Sequence, residues 1–113
     1  MTRARFHVLE LVARVALRVS PPRRAKATVD RAARWIGASC APSDARRGAT
    51  WLDRSGTCLS RALAVAACLP DSVVVIGVGP DRARGVAAHA WVELDGAPLR
   101  ESDPDGEAIA RLR

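Results

Sequence analysis

The sequence predicts an α+β fold, in which N-terminal helices precede a cysteine-bearing helix that packs on a small antiparallel sheet. Helical periodicity runs through the first third of the 113-residue chain, whereas residues 72–78 (SVVVIGV) form a β-branched run typical of a buried strand. The pair Asp95-Gly96, between two apolar segments, is a strong hairpin signal. We expect one domain over residues 1–113, with a helical N-terminal part at 1–37 and a core at 51–103.

Two helices are predicted before the core. In the first, the polar residues share one stripe and apolar residues cover the rest of the surface, so this helix should be largely buried or meet a partner. Pro21 and Pro22 end it. The second runs from about Ala25 to Ile36, with Gly37 as its stop. Residues 37–50 then have the composition of a loop, and Cys40 within them has no neighbour that suggests a function.

Charge is distributed unevenly along the chain. The net charge is +6, and residues 1–35 carry nine Lys/Arg against Glu10 and Asp30, so all the excess lies in the N-terminal third. Such a surface suits nucleic acid, an anionic membrane or an acidic protein partner. No aromatic interleaving or nucleic-acid motif accompanies it, and no apolar run is long enough to span a bilayer. We therefore expect neither nucleic-acid binding nor a membrane span.

The three cysteines indicate neither a disulfide framework nor a metal site. They are odd in number and irregularly spaced, which favours a reducing, cytoplasmic location. Together with the two histidines they show no metal-ligand spacing, and no cofactor is expected.

Cys58 is predicted to open a helix. Ser55, Gly56 and Thr57 are turn and cap residues, so the helix should begin at about Cys58 and end before Pro70. In a first helical turn, the helix dipole favours a thiolate and the free backbone N–H groups favour an oxyanion. Cys68 lies ten residues further along and should be an inert buried residue.

His89 lies on a predicted strand, VAAHAWVEL, with Trp91 and Glu93 on the same face. Residues 79–85 before it have a turn-rich composition, and APLRES after it should return antiparallel. A two-residue turn would place His89 opposite Ser102, whereas a three-residue turn with a glycine bulge would place Glu101 and Asp103 on its face. Proline at position 98 favours the bulge. Catalysis by His89 with one of these acids requires the bulged register.

Three blocks, CLSRALAVAACL, VVVIGV and AHAWVELDGAPLRE, resemble in order and spacing the stand-alone leader peptidases of lasso-peptide biosynthesis. The resemblance covers about Trp51 to Asp103, roughly half of the chain. It implies a transglutaminase-like, papain-like core with a Cys-His-acid triad. Cys58 is then the nucleophile, His89 the base and Glu101 the acid, although many members have aspartate there and Asp103 is a rival.

Two tryptophans are candidates for the substrate cleft. Cys58 N–H would be one oxyanion donor, and Trp51 is a candidate for the second, with packing in the core or a lid as its alternative role. Trp91 should pack over the histidine or line the cleft. Glu93 should pair with an arginine.

The resemblance also implies partners: a precursor peptide bound through its leader, a small leader-recognition protein that presents it, and the ATP-dependent lasso cyclase. The basic, apolar N-terminal third suits the interface with the recognition protein. Two alternatives use the same core, namely a thioester-forming acyltransferase of transglutaminase type and an inactive domain that binds proteins.

Overall fold

A computed structural model describes residues 1–81, 85–100 and 107–113. Within these ranges the chain forms four helices followed by a four-stranded antiparallel sheet, which confirms the α+β prediction. The elements are α1 (Arg3–Val19), α2 (Pro22–Trp35), α3 (Pro42–Trp51), α4 (Cys58–Cys68), β1 (Ser72–Asp81), β2 (Gly85–Leu94), β3 (Ala97–Pro98) and β4 (Glu107–Leu112).

The sheet has the order β3-β2-β1-β4 and covers α4 with one face. β1 and β2 form a long hairpin, in register from Ser72 opposite Leu94 to Asp81 opposite Gly85. The helix-facing side chains include Val74, Val92 and Leu112, which join the buried residues of α1, α2 and α4 in one core. No helix in the described ranges is long and apolar enough to cross a membrane.

The helix α3 occupies much of the segment that the composition assigned to a loop. Pro42 is compatible with a first helical turn, where its missing N–H costs nothing. The carboxylate of Asp44 interacts favourably with the positive end of the helix dipole. Ala45 is fully buried, and Gly48 lies directly against the ring of Phe6 in α1. The loop prediction was wrong because small residues are typical of turns, whereas here they allow α3 to pack closely against its neighbours.

Three other features differ from the predictions. The helix α2 begins at Pro22 rather than near Ala25, since proline is tolerated in a first turn. The strand β1 extends to Asp81 and β2 begins at Gly85, so the predicted turn is shorter; Arg82 and Arg84 lie outside the described residues. The strand β4, on the free side of β1, was not predicted.

The hairpin between β2 and β3 has a two-residue turn, so the bulged register was wrong. Asp95 and Gly96 have φ of 54° and 81°, as a type I′ turn requires, and Leu94 pairs with Ala97. Pro98 lies opposite Glu93, and the next bond runs from Leu99 N to Val92 O at 2.8 Å. Pro98 is therefore at a non-hydrogen-bonded pair, where its missing N–H leaves no bond unmade.

We predict that Gly48→Ala lowers the free energy of unfolding by about 1 kcal/mol or more. Helix propensity alone would favour alanine by about 1 kcal/mol, so the sign of the change isolates the clash with Phe6. Urea unfolding checks this, with Arg47→Ala, an exposed position of the same helix, as the control. A stabilised Gly48→Ala would contradict the close packing.

Candidate active site

The turn before α4 is fixed by reciprocal hydrogen bonds. Ser60 N donates to Thr57 Oγ1 at 3.2 Å, and Thr57 N donates to Ser60 Oγ at 2.9 Å, which together form a capping box. Arg61 Nη1 donates to the carbonyl of Ser55 at 3.2 Å and lies 3.4 Å from that of Gly56. The helix therefore begins at Cys58, as predicted, and its first turn is held from two sides.

Cys58 and His89 line the same cleft, of about 160 Å³. Cys58 is half-buried in the first turn of α4, and His89 is half-buried on β2. The walls also include Ala90 and Val92, which alternate with His89 and Trp91 along the strand. Because both faces of β2 contribute, the cleft must lie at an edge of this strand rather than over one face.

Cys58 and His89 are both described by the structure, and their side chains share the cleft without a hydrogen bond between them. Catalytic hydrogen bonds are often long in unliganded sites and shorten when substrate binds. The arrangement brings together a thiol at a helix N-terminus and an imidazole, which are the groups that nucleophilic catalysis requires.

Trp91 is held in place on the His89 face of the sheet. Its Nε1 donates to Glu93 Oε2 at 3.0 Å, and Arg111 Nη1 of β4 donates to Glu93 Oε1 at 2.6 Å, so the predicted arginine partner of Glu93 is present. A Cβ on Gly77, which pairs with His89, would lie only 2.7 Å from the Trp91 ring. Trp91 is 4% exposed and lines the cleft.

The charge of Glu93 is favoured despite burial. Burial alone would raise the pKa of this carboxyl, but the hydrogen bonds from Arg111 and Trp91 and the positive charge of Arg111 outweigh it. The net effect lowers the pKa of Glu93 from its usual value.

Trp51 packs against α1. It ends α3, and its ring packs edge-on against Phe6 with centroids 6.0 Å apart and an interplanar angle of 65°. It is not among the residues that line the cleft. These contacts agree with the core-packing alternative, and the role of oxyanion donor stays an untested prediction.

The segment after β3 forms another wall, which the sequence did not indicate. Leu99 and Arg100 both line the cleft. Arg46 Nε of α3 donates to the Leu99 carbonyl at 2.9 Å, and Arg100 Nη1 forms an ion pair with Asp53 at 2.9 Å. The partners are about fifty positions apart in the chain, so no local pattern could have shown these contacts.

Glu101 and Asp103, the two candidate acids, lie outside the described residues. The requirement of a bulged register assumed that the ladder between β2 and β3 continues as far as residue 103. The ladder ends at Pro98, so that requirement was wrong and the hairpin register does not decide whether either acid approaches His89. Their assignment rests on the sequence alone.

A family model described as the transglutaminase-like superfamily matches residues 2–113. The chain belongs to this superfamily. Its members are generally cysteine-dependent enzymes of cysteine-protease or acyltransferase type. Searches of curated proteins and of solved structures found no match to the chain.

A transglutaminase-like enzyme needs a reactive cysteine, and the environments of Cys40 and Cys68 disfavour that role. Burial, with a smaller contribution from Cys40, raises the pKa of Cys68 to about 12, and its Sγ contacts the Ala64 carbonyl. Burial also raises the pKa of Cys40, and Asp44 adds to the effect. Neither residue lines the cleft. Cys58 is therefore the candidate nucleophile by location.

We predict that Glu93→Gln lowers the free energy of unfolding at pH 7 and that this deficit in unfolding free energy, relative to wild type, is smaller in acid. A carboxyl whose pKa is lowered by folding contributes stability that is complete above its unfolded-state pKa, near 4.5, and is lost as pH falls through the folded value. Urea unfolding at pH 7 and pH 3.5 measures both deficits. An equal deficit at the two pH values would contradict the ionised Glu93–Arg111 pair.

Proposed function

We propose that this chain is a cysteine peptidase that removes the leader peptide from a lasso-peptide precursor. The observation that carries the proposal is the shared cleft of Cys58 and His89, with the thiol in the first turn of α4. Membership of the transglutaminase-like superfamily supports the reaction class. The leader specificity is supported by the sequence resemblance over residues 51–103.

The chemistry follows from the residues available. His89 takes the proton of Cys58, whose sulfur attacks the scissile carbonyl, and Cys58 N–H donates to the resulting oxyanion. His89 then protonates the leaving amine, and water hydrolyses the thioester. Glu101, or Asp103 in its place, orients the imidazole and supports its positive charge. The chain needs neither a metal nor a cofactor for these steps.

An acyltransferase would use the same thioester and differ only in the attacking group. If an amine replaces water, the acyl fragment carries the mass of that amine instead of one water. Product masses therefore separate hydrolysis from transfer.

The proposed docking site for the leader-recognition protein is a groove between α1 and α2, called here the α1 groove. It has a volume of about 450 Å³ and is lined by Leu11, Val12, Val15, Ala16, Val19, Ser20 and Thr28. Val15 is 55% and Val19 80% exposed. A groove with so much apolar surface suits an amphipathic partner segment.

Charge near the α1 groove favours an acidic partner surface. Arg24 and Arg31 flank Thr28 by one helical turn, and Arg18 lies one turn from Val15. All three are exposed, and none forms an ion pair with another residue that the structure describes. Two copies of this chain would bring like charges together, which disfavours self-association through this surface.

We predict that Cys58→Ala and His89→Ala abolish release of the leader from a precursor, measured by mass spectrometry. Glu101→Gln should cause a deep loss, and Asp103→Asn a smaller one. Cys68→Ala, which removes a buried thiol outside the cleft, is the control for substitution of a cysteine. Full cleavage by Cys58→Ala would refute the proposed function, and a greater loss for Asp103→Asn than for Glu101→Gln would reassign the acid.

We also predict that Val15→Asp weakens capture of the leader-recognition protein by about tenfold or more, since it places a charge in an apolar contact. Ile109→Asp is the matched control, because Ile109 is a comparably exposed aliphatic residue on β4, 68% exposed. Titration by calorimetry measures both affinities. Undiminished binding by Val15→Asp, or an equal loss for Ile109→Asp, would exclude the α1 groove.

A further inference from the structure

Glu10 is a buried carboxylate that the proposed chemistry does not use. It lies on α1 and is 1% exposed, yet its carboxyl group reaches the turn that precedes Cys58. A Cβ on Gly56 would lie 3.0 Å from the Glu10 carboxyl carbon and would also collide with Glu10 Oε2 and Ser60 Oγ. The turn therefore rests on the carboxyl group, and only glycine allows this approach at a φ of 58°.

The charge of Glu10 is balanced within the fold. Arg14 Nε donates to Glu10 Oε2 at 3.1 Å, and Arg14 Nη2 donates to Oε1. Burial alone would raise the pKa of Glu10, but Arg14 and the Ser60 hydroxyl, with a smaller effect of His7, lower it below the usual value. An ionised carboxylate at the N-terminal end of α4 also interacts favourably with the helix dipole.

We propose that Glu10 is a positioning residue that fixes the turn Gly56–Thr57 and thereby holds the Cys58 thiol and backbone N–H in their catalytic orientation. Glu10 contacts Gly56 and the capping-box residue Ser60 from below, while Arg61 binds the carbonyls of Ser55 and Gly56. Cys58 follows this clamped turn directly. The inference rests on the proposed function for its catalytic readout, but the clamp itself is testable without substrate.

The geometry predicts an effect on kcat rather than on substrate binding. Glu10 is separated from the cleft by the turn and is not among the residues that line it. Loosening the turn would misplace the nucleophile and the oxyanion donor together, and misplacements of about 1 Å can cost up to about a hundredfold in rate. Contacts that bind the peptide elsewhere would be unchanged.

A second ion pair on α2 supplies a matched control. Lys26, 6% exposed, donates to Asp30 at 2.7 Å with the same i,i+4 spacing as the Glu10–Arg14 pair. This pair lies near Ala66 and Leu69, at the opposite end of α4 from Cys58. The side chain of Asp30 is 27% exposed, against 2% for Glu10, and Asp30→Asn breaks an ion pair of the same spacing without touching the clamped turn.

The experiment compares Glu10→Gln with Asp30→Asn in precursor cleavage, under saturating leader-recognition protein. Glu10→Gln should lower kcat by about tenfold or more and leave KM within about twofold, whereas Asp30→Asn should keep kcat within about twofold. Thermal unfolding verifies that both variants are folded at the assay temperature. A kcat for Glu10→Gln within twofold of wild type, or an equal loss for Asp30→Asn, would overturn the positioning role.

Amide hydrogen exchange measured by NMR tests the positioning role without a substrate. Glu10→Gln should speed exchange at the hydrogen-bonded amides of Thr57, Ser60 and Arg61 by about tenfold relative to the rest of α4, and Asp30→Asn should not. If wild-type protein cleaves no precursor, the proposed function fails while this comparison still tests the clamp. If exchange rises uniformly in both variants, Glu10 contributes only to global stability and the inference fails.

Discussion

The first turn of α4 is constrained on two sides, because one side packs against α1 while the other lines a cleft. The Ser60 amide is taken by Thr57 Oγ1, and Glu10 packs under Gly56. The amides of Cys58 and Leu59 have no backbone partner within α4, as is normal for a first helical turn. Rigid support below therefore leaves donors free on the side where an oxyanion would form.

The cleft also depends on an edge of β2 that, among the described residues, is unpaired beyond its last two positions. β3 pairs with only the last two residues of β2, and Arg46 takes the Leu99 carbonyl, which a longer ladder would have used. Beyond that point, residues from both faces of β2 reach the same space. An imidazole from the face opposite α4 thus shares a cleft with a thiol on α4, although the helix packs on the other face.

Local signals predicted the parts of this structure that are locally determined. Thr57 and Pro70 bounded α4, β-branched residues marked β1, and alternation placed His89 beside Trp91 and Glu93. The sequence did not predict α3, whose Gly48 is explained only by Phe6, forty-two positions away. The predicted bulged register was wrong because Pro98 fits a non-hydrogen-bonded pair of a regular ladder, and the type I′ preference of Asp95-Gly96 determined the pairing. The packing of Glu10 against Gly56 and the bond from Arg46 to Leu99 join distant positions, and no spacing rule encodes them.

The helix α1 carries both proposed features, the docking groove and the positioning residue, on faces that are one residue apart in sequence. Glu10 is directed toward the Cys58 turn, whereas Leu11 and Val15 line the α1 groove, since successive residues differ by about 100° around a helix. A partner in the groove would therefore contact the same helix that packs against the turn before Cys58. Such a partner would change the order of the turn only if its affinity differs between the clamped and the loosened state. A partner that binds both states of the turn equally would leave the turn unchanged, so the proposed docking and positioning roles of α1 can be tested separately.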